Sequence, residues 1–223
     1  MDDLAGAAGR WDLLARCVQS ALFVSHDLRR DTELVLVLLG PPSPPKAIRV
    51  SGALVQRLNP DERSTVMLLS RALELPLPPS GAEVVASQGV YISRADLAAA
   101  LDVPAPGPAP APAPAPAPVP GPAPIPVSNT PGGRRLVLLD ESGRHGGPER
   151  LPEAVGPDPT FVIGDDRGLT GDQLDAVRAR GAVELSLGPV SLHADHCIVV
   201  VHNLLDRAGT ATGGPGGGRR GGR

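Results

Sequence analysis

A tract of alternating proline and alanine divides this chain into two parts that must fold around it. The tract covers residues 103–127, and proline at every second position excludes both helix and central sheet strand. We expect polyproline II, which would reach roughly 70 Å if fully extended at about 3.1 Å per residue. Residues 103–130 are therefore predicted to be an insertion loop that bows out into solvent. A docking site for a proline-binding partner is the alternative.

The composition limits the classes of function that remain. The net charge is −3 and the pI about 5.9, so the whole chain lacks the basic surface of proteins that hold nucleic acid mainly by counterion release. RNA binding, if it occurs, should be local or weak. Cys17 and Cys197 lie far apart in apolar patterns, and no secretory signal pattern opens the chain, which indicates a reduced, cytosolic protein. The longest apolar runs are too short to span a bilayer.

The apolar patterns in residues 1–102 predict a mixture of helices and strands. Asp2 or Asp3 can cap a helix whose apolar residues recur at three- and four-residue steps as far as Leu22. The run 33–40, ELVLVLLG, is typical of a strand covered on both faces. Residues 47–50 and 53–58 flank Ser51-Gly52 and predict a hairpin.

Two further helices in this part are predicted from their start signals. Asn59 as cap, Pro60 in the first turn and Glu62 as capping-box acid predict a helix through about Leu75. Ser93 with Asp96 predicts the same arrangement for a helix in RADLAAALD.

Residues 131–209 show a regular alternation of strands and helices. Strands are predicted in RLVLLDE, TFVIGDD and AVELSLG. Thr170 and Gln173 predict a capping box for a helix that ends at Gly181, and a final helix should stop at Gly209. This alternation predicts a parallel sheet. The tail, residues 210–223, cannot bury apolar area and is expected to be disordered.

Three loops at strand ends are the first candidates for a ligand site. They lie at Leu139-Asp140, at Gly164-Asp165-Asp166 and at Leu187-Gly188-Pro189. In a parallel sheet all three open toward one edge, where backbone NH and CO groups could recognise an adenine edge. Glycines that merely turn the chain are the alternative. The sequence contains neither G-x-G-x-x-G nor a P-loop, which disfavours ordinary dinucleotide and nucleoside triphosphate sites.

Charged and metal-binding residue types give weaker signals. The spacing of His193, His196 and Cys197 does not favour a metal site, so no metal is predicted. Cys197 lies on an apolar stripe and is interpreted as a small core residue that can wall a pocket, while His193 and Asp195 are interpreted as capping or interface groups. In NPDERST, Asp61 and Arg63 lie at a helix N-terminus that could receive a phosphate; a solvated charged turn is the alternative.

Several of these motifs, taken in order, resemble the TrmY family of tRNA (pseudouridine-54-N1)-methyltransferases, in the SPOUT superfamily. They are LAGAAGRWDLLARCVQSALFVSH, LNPDERST, SQGVYISRADL, FVIGDDRGLT and LSLGPVSLHADHCIVVVHNLLD, of which the last is the most specific. The resemblance implies a SPOUT-type α/β fold with a parallel sheet flanked by helices and a deep C-terminal trefoil knot. It also implies a homodimer packed partly through the knot helix.

The same resemblance implies S-adenosylmethionine as cofactor and tRNA as partner and substrate. By this resemblance, the residues of this chain that would bind the cofactor are Leu139, Gly164, Leu187, Gly188, Pro189, Val190, Ser191, Leu192 and Cys197. Asp61 is the candidate orienting or basic group, and Arg63 the candidate phosphate or base contact. N1 of pseudouridine must lose a proton as it attacks the methyl group, so a carboxylate or a positioned water is needed nearby.

Two departures from the family pattern lead to further expectations. Family members begin with an apolar strand that has no counterpart before the first helix here, which predicts an exposed sheet flank and lower stability. The proline-alanine tract falls where an ordinary loop would suffice. The alternatives in function are a ribosomal-RNA pseudouridine N1-methyltransferase and a catalytically silent RNA-binding or assembly factor with the same fold.

Overall fold

A computed structural model gives the fold of residues 10–41, 43–102, 135–143, 148–151, 155 and 158–212. Predictions for residues 1–9, for the insertion loop and for the tail beyond residue 212 lie outside these residues. The helices and strands, in chain order, are α1 (Trp11–Leu22), β1 (Glu33–Leu38), β2 (Lys46–Ser51), α2 (Glu62–Leu73), β3 (Val84–Ser87), β4 (Val90–Ser93), α3 (Leu97–Asp102), β5 (Arg135–Leu139), a 3-10 turn (Pro148–Arg150), β6 (Pro159–Val162), α4 (Gly171–Ala179), β7 (Val183–Leu185) and α5 (Ala194–Thr212).

The N-terminal part contains a four-stranded antiparallel sheet in the order β1-β2-β4-β3. The prediction that residues 33–40 form a strand covered on both faces is wrong, because β1 is an edge strand and Val35 is 40% exposed. The hairpin predicted around Ser51-Gly52 is also wrong. The chain turns there, with the amide of Val55 donating to the carbonyl of Ser51, and β2 pairs instead with β1 and β4.

The helices of this part lie where the periodicity predicts them, but their caps differ. Asp61, and not Asn59, caps α2: its carboxylate accepts a hydrogen bond from the amide of Ser64 at 2.8 Å. Asp96 likewise caps α3 itself, accepting from the amide of Ala99 at 2.8 Å, so the predicted Ser93–Asp96 capping box is wrong. In both helices the cap is the aspartate that immediately precedes the first helical residue. Its short side chain reaches the amide of the third helical residue.

The C-terminal part forms a three-stranded parallel sheet in the order β6-β5-β7, which confirms the predicted parallel strands. The α/β class is confirmed with it. The capping box of Thr170 and Gln173 at the start of α4 is present, as predicted. The predicted stop at Gly209 is wrong, because α5 continues to Thr212.

Helix α5 joins the two parts of the molecule. It packs along α1, and its Ala194 and Ile198 contact the apolar core of the N-terminal sheet. One turn further on, the buried Val201 belongs to the core beneath the parallel sheet, where Leu204 and Leu205 also pack. One helix that contacts both halves therefore follows directly after the loop of residues 186–193.

Candidate active site

The carboxyl ends of the three parallel strands lie at one edge of the sheet. Leu139 is paired in register with Leu185, and Leu138 with Val162. The amide of Asp140 donates to the carbonyl of Leu185 at 3.0 Å, which ties the end of β5 to the end of β7. The loops that begin at Leu139, just before Gly164 and at Leu187 thus leave the same edge, as the sequence predicted.

The loop after β7 is open around its glycine. Gly188 has φ +147°, and a Cβ built there meets no atom within 4 Å. The amide of Gly188 donates to the hydroxyl of Ser186 at 3.1 Å, and that hydroxyl donates to the carbonyl of Gly188 at 2.8 Å. These bonds hold the turn in shape while leaving space beside its backbone.

The residues that follow Gly188 present an exposed, partly apolar segment. Val190 is 70% exposed and Leu192 is 38% exposed, and Pro189 and Ser191 are exposed as well. The hydroxyl of Ser191 donates to the carboxylate of Glu141, which connects this loop to the one after β5. An open glycine turn flanked by two exposed apolar side chains fits a ligand with an apolar, planar part that is held by main-chain groups.

The loop after β6 is compact. A Cβ on Gly164 would lie 2.9 Å from the Cα of Gly168, and the carboxylate of Asp165 accepts from the amide of Arg167 at 2.8 Å. Glycine at position 164 therefore allows the loop to approach its own backbone. The structure therefore supports, for Gly164, the alternative interpretation that the glycine serves only to turn the chain.

Cys197 lies in the first turn of α5 beside the same loop. Its thiol donates a weak hydrogen bond to the carbonyl of Leu192, with sulfur and oxygen 3.8 Å apart. Burial raises the pKa of the Cys197 thiol, and the nearby carboxylate of Asp195 raises it further. The sulfur is therefore a neutral thiol near pH 7 and a poor nucleophile. Cys197 is half-buried and is not one of the buried core residues, so its interpretation as a small core residue holds only in part.

Asp61 and Arg63 lie at the start of α2, in the antiparallel half. The amide of Ser64, which donates to the carboxylate of Asp61, lowers the pKa of Asp61, and the charge of Arg63 adds to the effect. Both side chains are exposed. Among the described residues, no hydrogen bond or salt bridge links this pair to the three loops.

An ion pair that sequence analysis did not find fixes the start of α5. Arg16 of α1 donates to the carboxylate of Asp195 at 3.2 Å and to that of Asp12 at 3.0 Å. Asp195 is only 5% exposed, so its carboxylate is buried where α5 packs on α1. Its partner could not be identified, because Arg16 lies 179 residues away and no local spacing connects the two.

The described part of the chain contains neither a metal-binding cluster nor a membrane-spanning helix. No group of three or more His, Cys, Asp or Glu side chains within it could hold a metal ion. No helix there has both the length and the apolar character needed to cross a bilayer.

A family model described as "Putative SAM-dependent RNA methyltransferase" matches residues 1–105 and 129–210 of this chain. The chain belongs to this family. Two relatives in this methyltransferase family, both named tRNA (pseudouridine(54)-N(1))-methyltransferase, come from Methanocella arvoryzae and Methanococcoides burtonii. The first is 40% identical over 93% of this chain and 90% of its own length, and the second is 36% identical over 93% and 88%.

A solved structure has the same fold as this family member. It is Archaeoglobus fulgidus Nep1 bound to S-adenosylhomocysteine, with a TM-score of 0.57 over 94% of this chain and 77% of that chain. The two sequences are 16% identical, so the likeness concerns the fold alone.

Proposed function

We propose that this protein is an S-adenosylmethionine-dependent tRNA methyltransferase that methylates N1 of pseudouridine-54. The match to the methyltransferase family and the names of its relatives support this activity. The structural observation that carries it is the meeting of three strand ends at one sheet edge, with open space beside Gly188. Ligands bind at such edges in α/β proteins, outside the carboxyl ends of the strands.

The cofactor site comprises the three loops and the first turn of α5. Main-chain groups of Leu139, Gly164 and residues 187–192 hold the adenosyl part, and Cys197 forms a wall of the pocket. When bound, S-adenosylmethionine supplies an electrophilic methyl group on a sulfonium. No charged side chain is required for its adenine, because amide NH and carbonyl groups match the donors and acceptors of the base edge.

Asp61 and Arg63 serve the RNA substrate in this proposal. A low pKa keeps Asp61 ionised, which favours a role in orienting the pseudouridine over one in accepting its proton. A positioned water is then the direct acceptor of the N1 proton. Arg63, exposed at the same helix start, contacts a phosphate or a base.

The finer features of the family fold form part of the same proposal. The loops after β5, β6 and β7 form a trefoil knot, and two copies of the chain form a homodimer that packs partly through α5. The enzyme acts in the cytoplasm; both cysteines are free thiols, as suits a reducing compartment.

Methyl transfer from labelled S-adenosylmethionine tests the activity directly. Unmodified tRNA that carries pseudouridine at position 54 should accept the label, and digestion should yield N1-methylpseudouridine. The same tRNA with uridine at position 54 is the control and should remain unlabelled, because uridine N1 is the glycosidic nitrogen. Label in ribosomal RNA instead of tRNA would favour the ribosomal alternative. Cofactor binding without transfer to either RNA would favour a silent RNA-binding factor.

A further inference from the structure

A groove of about 510 Å³ lies between α2 and the turn that joins β3 to β4. We call it the α2 groove; its walls include Gln56, Arg57, Asn59, Met67, Arg71 and Gln88. This volume is within the range of about 300–1,000 Å³ that small-ligand sites occupy. The groove belongs to neither the strand-end loops nor the parallel sheet.

The two arginines of the α2 groove differ from the arginines that form short ion pairs within the fold. Five arginines elsewhere, Arg16, Arg29, Arg49, Arg178 and Arg180, each place the guanidinium 3.0 Å or less from a carboxylate oxygen. Arg57 and Arg71 are exposed, and no carboxylate of the described residues forms a salt bridge with either. No acidic residue lines the groove. In a chain of net charge −3, these two cations remain available for an anion.

The rest of the groove offers the groups that bind a nucleobase. One face of α2 contributes residues at helical spacing, Ser64, Met67, Leu68 and Arg71. Met67 is 46% exposed, and the buried Val55 also lines the groove, so a flat apolar ring has a surface to pack against. The amides of Gln56, Asn59 and Gln88 can both donate and accept hydrogen bonds at base edges.

We infer that the α2 groove binds an unpaired nucleotide of the RNA substrate other than the one that is methylated. Its base packs on Met67, its edge faces the side-chain amides, and Arg57 and Arg71 pair with the flanking phosphates. The inference rests on the proposed function, because Asp61, which caps the same helix, belongs to the proposed acceptor site. RNA binding through a few local contacts also agrees with a chain that lacks an overall basic surface.

Removal of the two groove arginines, compared with removal of one exposed arginine outside the groove, tests this inference. The double variant Arg57→Ala/Arg71→Ala should bind unmodified tRNA at least tenfold more weakly. The slope of log Kd against log salt should fall by about 1.4, since each phosphate contact to a single strand contributes about 0.7. Arg94→Ala is the control: Arg94 is exposed at the other end of β4, roughly 16 Å from Gly89 at about 3.3 Å per residue. It should keep parental affinity and slope.

Two further measurements separate binding of this nucleotide from folding and from chemistry. All variants should bind S-adenosylmethionine with parental affinity by calorimetry, which shows that the fold is intact. Met67→Ala should raise KM for tRNA severalfold and leave kcat unchanged, because the contact is equal in ground state and transition state. Parental tRNA affinity in the double arginine variant, or equal weakening by Arg94→Ala, would overturn the inference. If the parent binds tRNA but transfers no methyl group, the proposed function fails while the groove is still tested by affinity.

Discussion

At the scale of single residues, the glycines of the strand-end loops have different physical roles. Gly164 is confined by the backbone of Gly168, whereas Gly188 has open space around it and a φ of +147°. A side chain at position 188 has room but requires a backbone conformation that costs an L-residue of order 1–3 kcal/mol. The loop would therefore change shape where we propose that the cofactor binds.

The substitution Gly188→Ala should lower affinity for S-adenosylmethionine at least tenfold, measured by calorimetry. The matched control is Gly171→Ala, in the first turn of α4, where the new Cβ also meets no atom within 4 Å and φ is not positive. That control should keep parental affinity and melt at the same or a slightly higher temperature. Equal cofactor affinity in the two variants would contradict a role for the Gly188 turn.

Local signals at this scale identify helices better than they identify caps. In the sequence NPDE, Asn59 is the predicted cap, because Pro60 then takes the first helical position and Glu62 serves as the capping-box acid. The structure uses Asp61, whose extended backbone at φ −110° and ψ 141° precedes the first helical residue. Which nearby residue caps a helix depends on the backbone conformation of the preceding chain, which local spacing does not specify.

At the scale of elements, the Arg16–Asp195 pair joins α1 to the start of α5. Asp195→Asn should lower the free energy of unfolding by about 1–3 kcal/mol, because it removes a charged hydrogen-bond partner from a site that is 5% exposed. Denaturant titration with circular dichroism measures this loss.

Asp206→Asn provides the matched control on the same helix. Asp206 pairs with Arg29 at 2.7 Å, but its side chain is 54% exposed, so the loss should stay below about 1 kcal/mol. If Asp195→Asn costs no more than Asp206→Asn, the buried pair does not anchor α5.

The elements themselves were predictable where their order is regular. Alternating strands and helices between Arg135 and Thr212 determine a parallel sheet, so the edge with the candidate loops followed from the sequence. The position of β1 could not be predicted from the sequence, because an apolar run such as ELVLVL is compatible with either a central parallel strand or an antiparallel edge strand. The pairing of β1 with β2, across which Glu33 and Arg49 form an ion pair at 2.9 Å, depends on contacts between distant parts of the chain. The α2 groove escaped prediction for the same reason, since three separate segments form it.

At the scale of the whole molecule, the proline-alanine tract separates two parts with different sheets. The family model matches up to residue 105 and again from residue 129, so the intervening residues lie outside the family pattern. Replacing residues 106–128 by a short glycine-serine linker should leave S-adenosylmethionine affinity within about twofold of the parent by calorimetry. Since the entropic cost of closing a flexible loop depends only weakly on its length, the melting temperature should also change little. A large loss of cofactor affinity would show that the tract contributes to the site.

The position of α5 has a consequence for how the chain is made. Its first turn packs into the core of the N-terminal sheet, and its middle packs into the core beneath the parallel one. During translation, neither core can be completed while this C-terminal segment is still inside the ribosomal tunnel. The earlier segments emerge with apolar surface uncovered, and both cores can close only after α5 has left the tunnel.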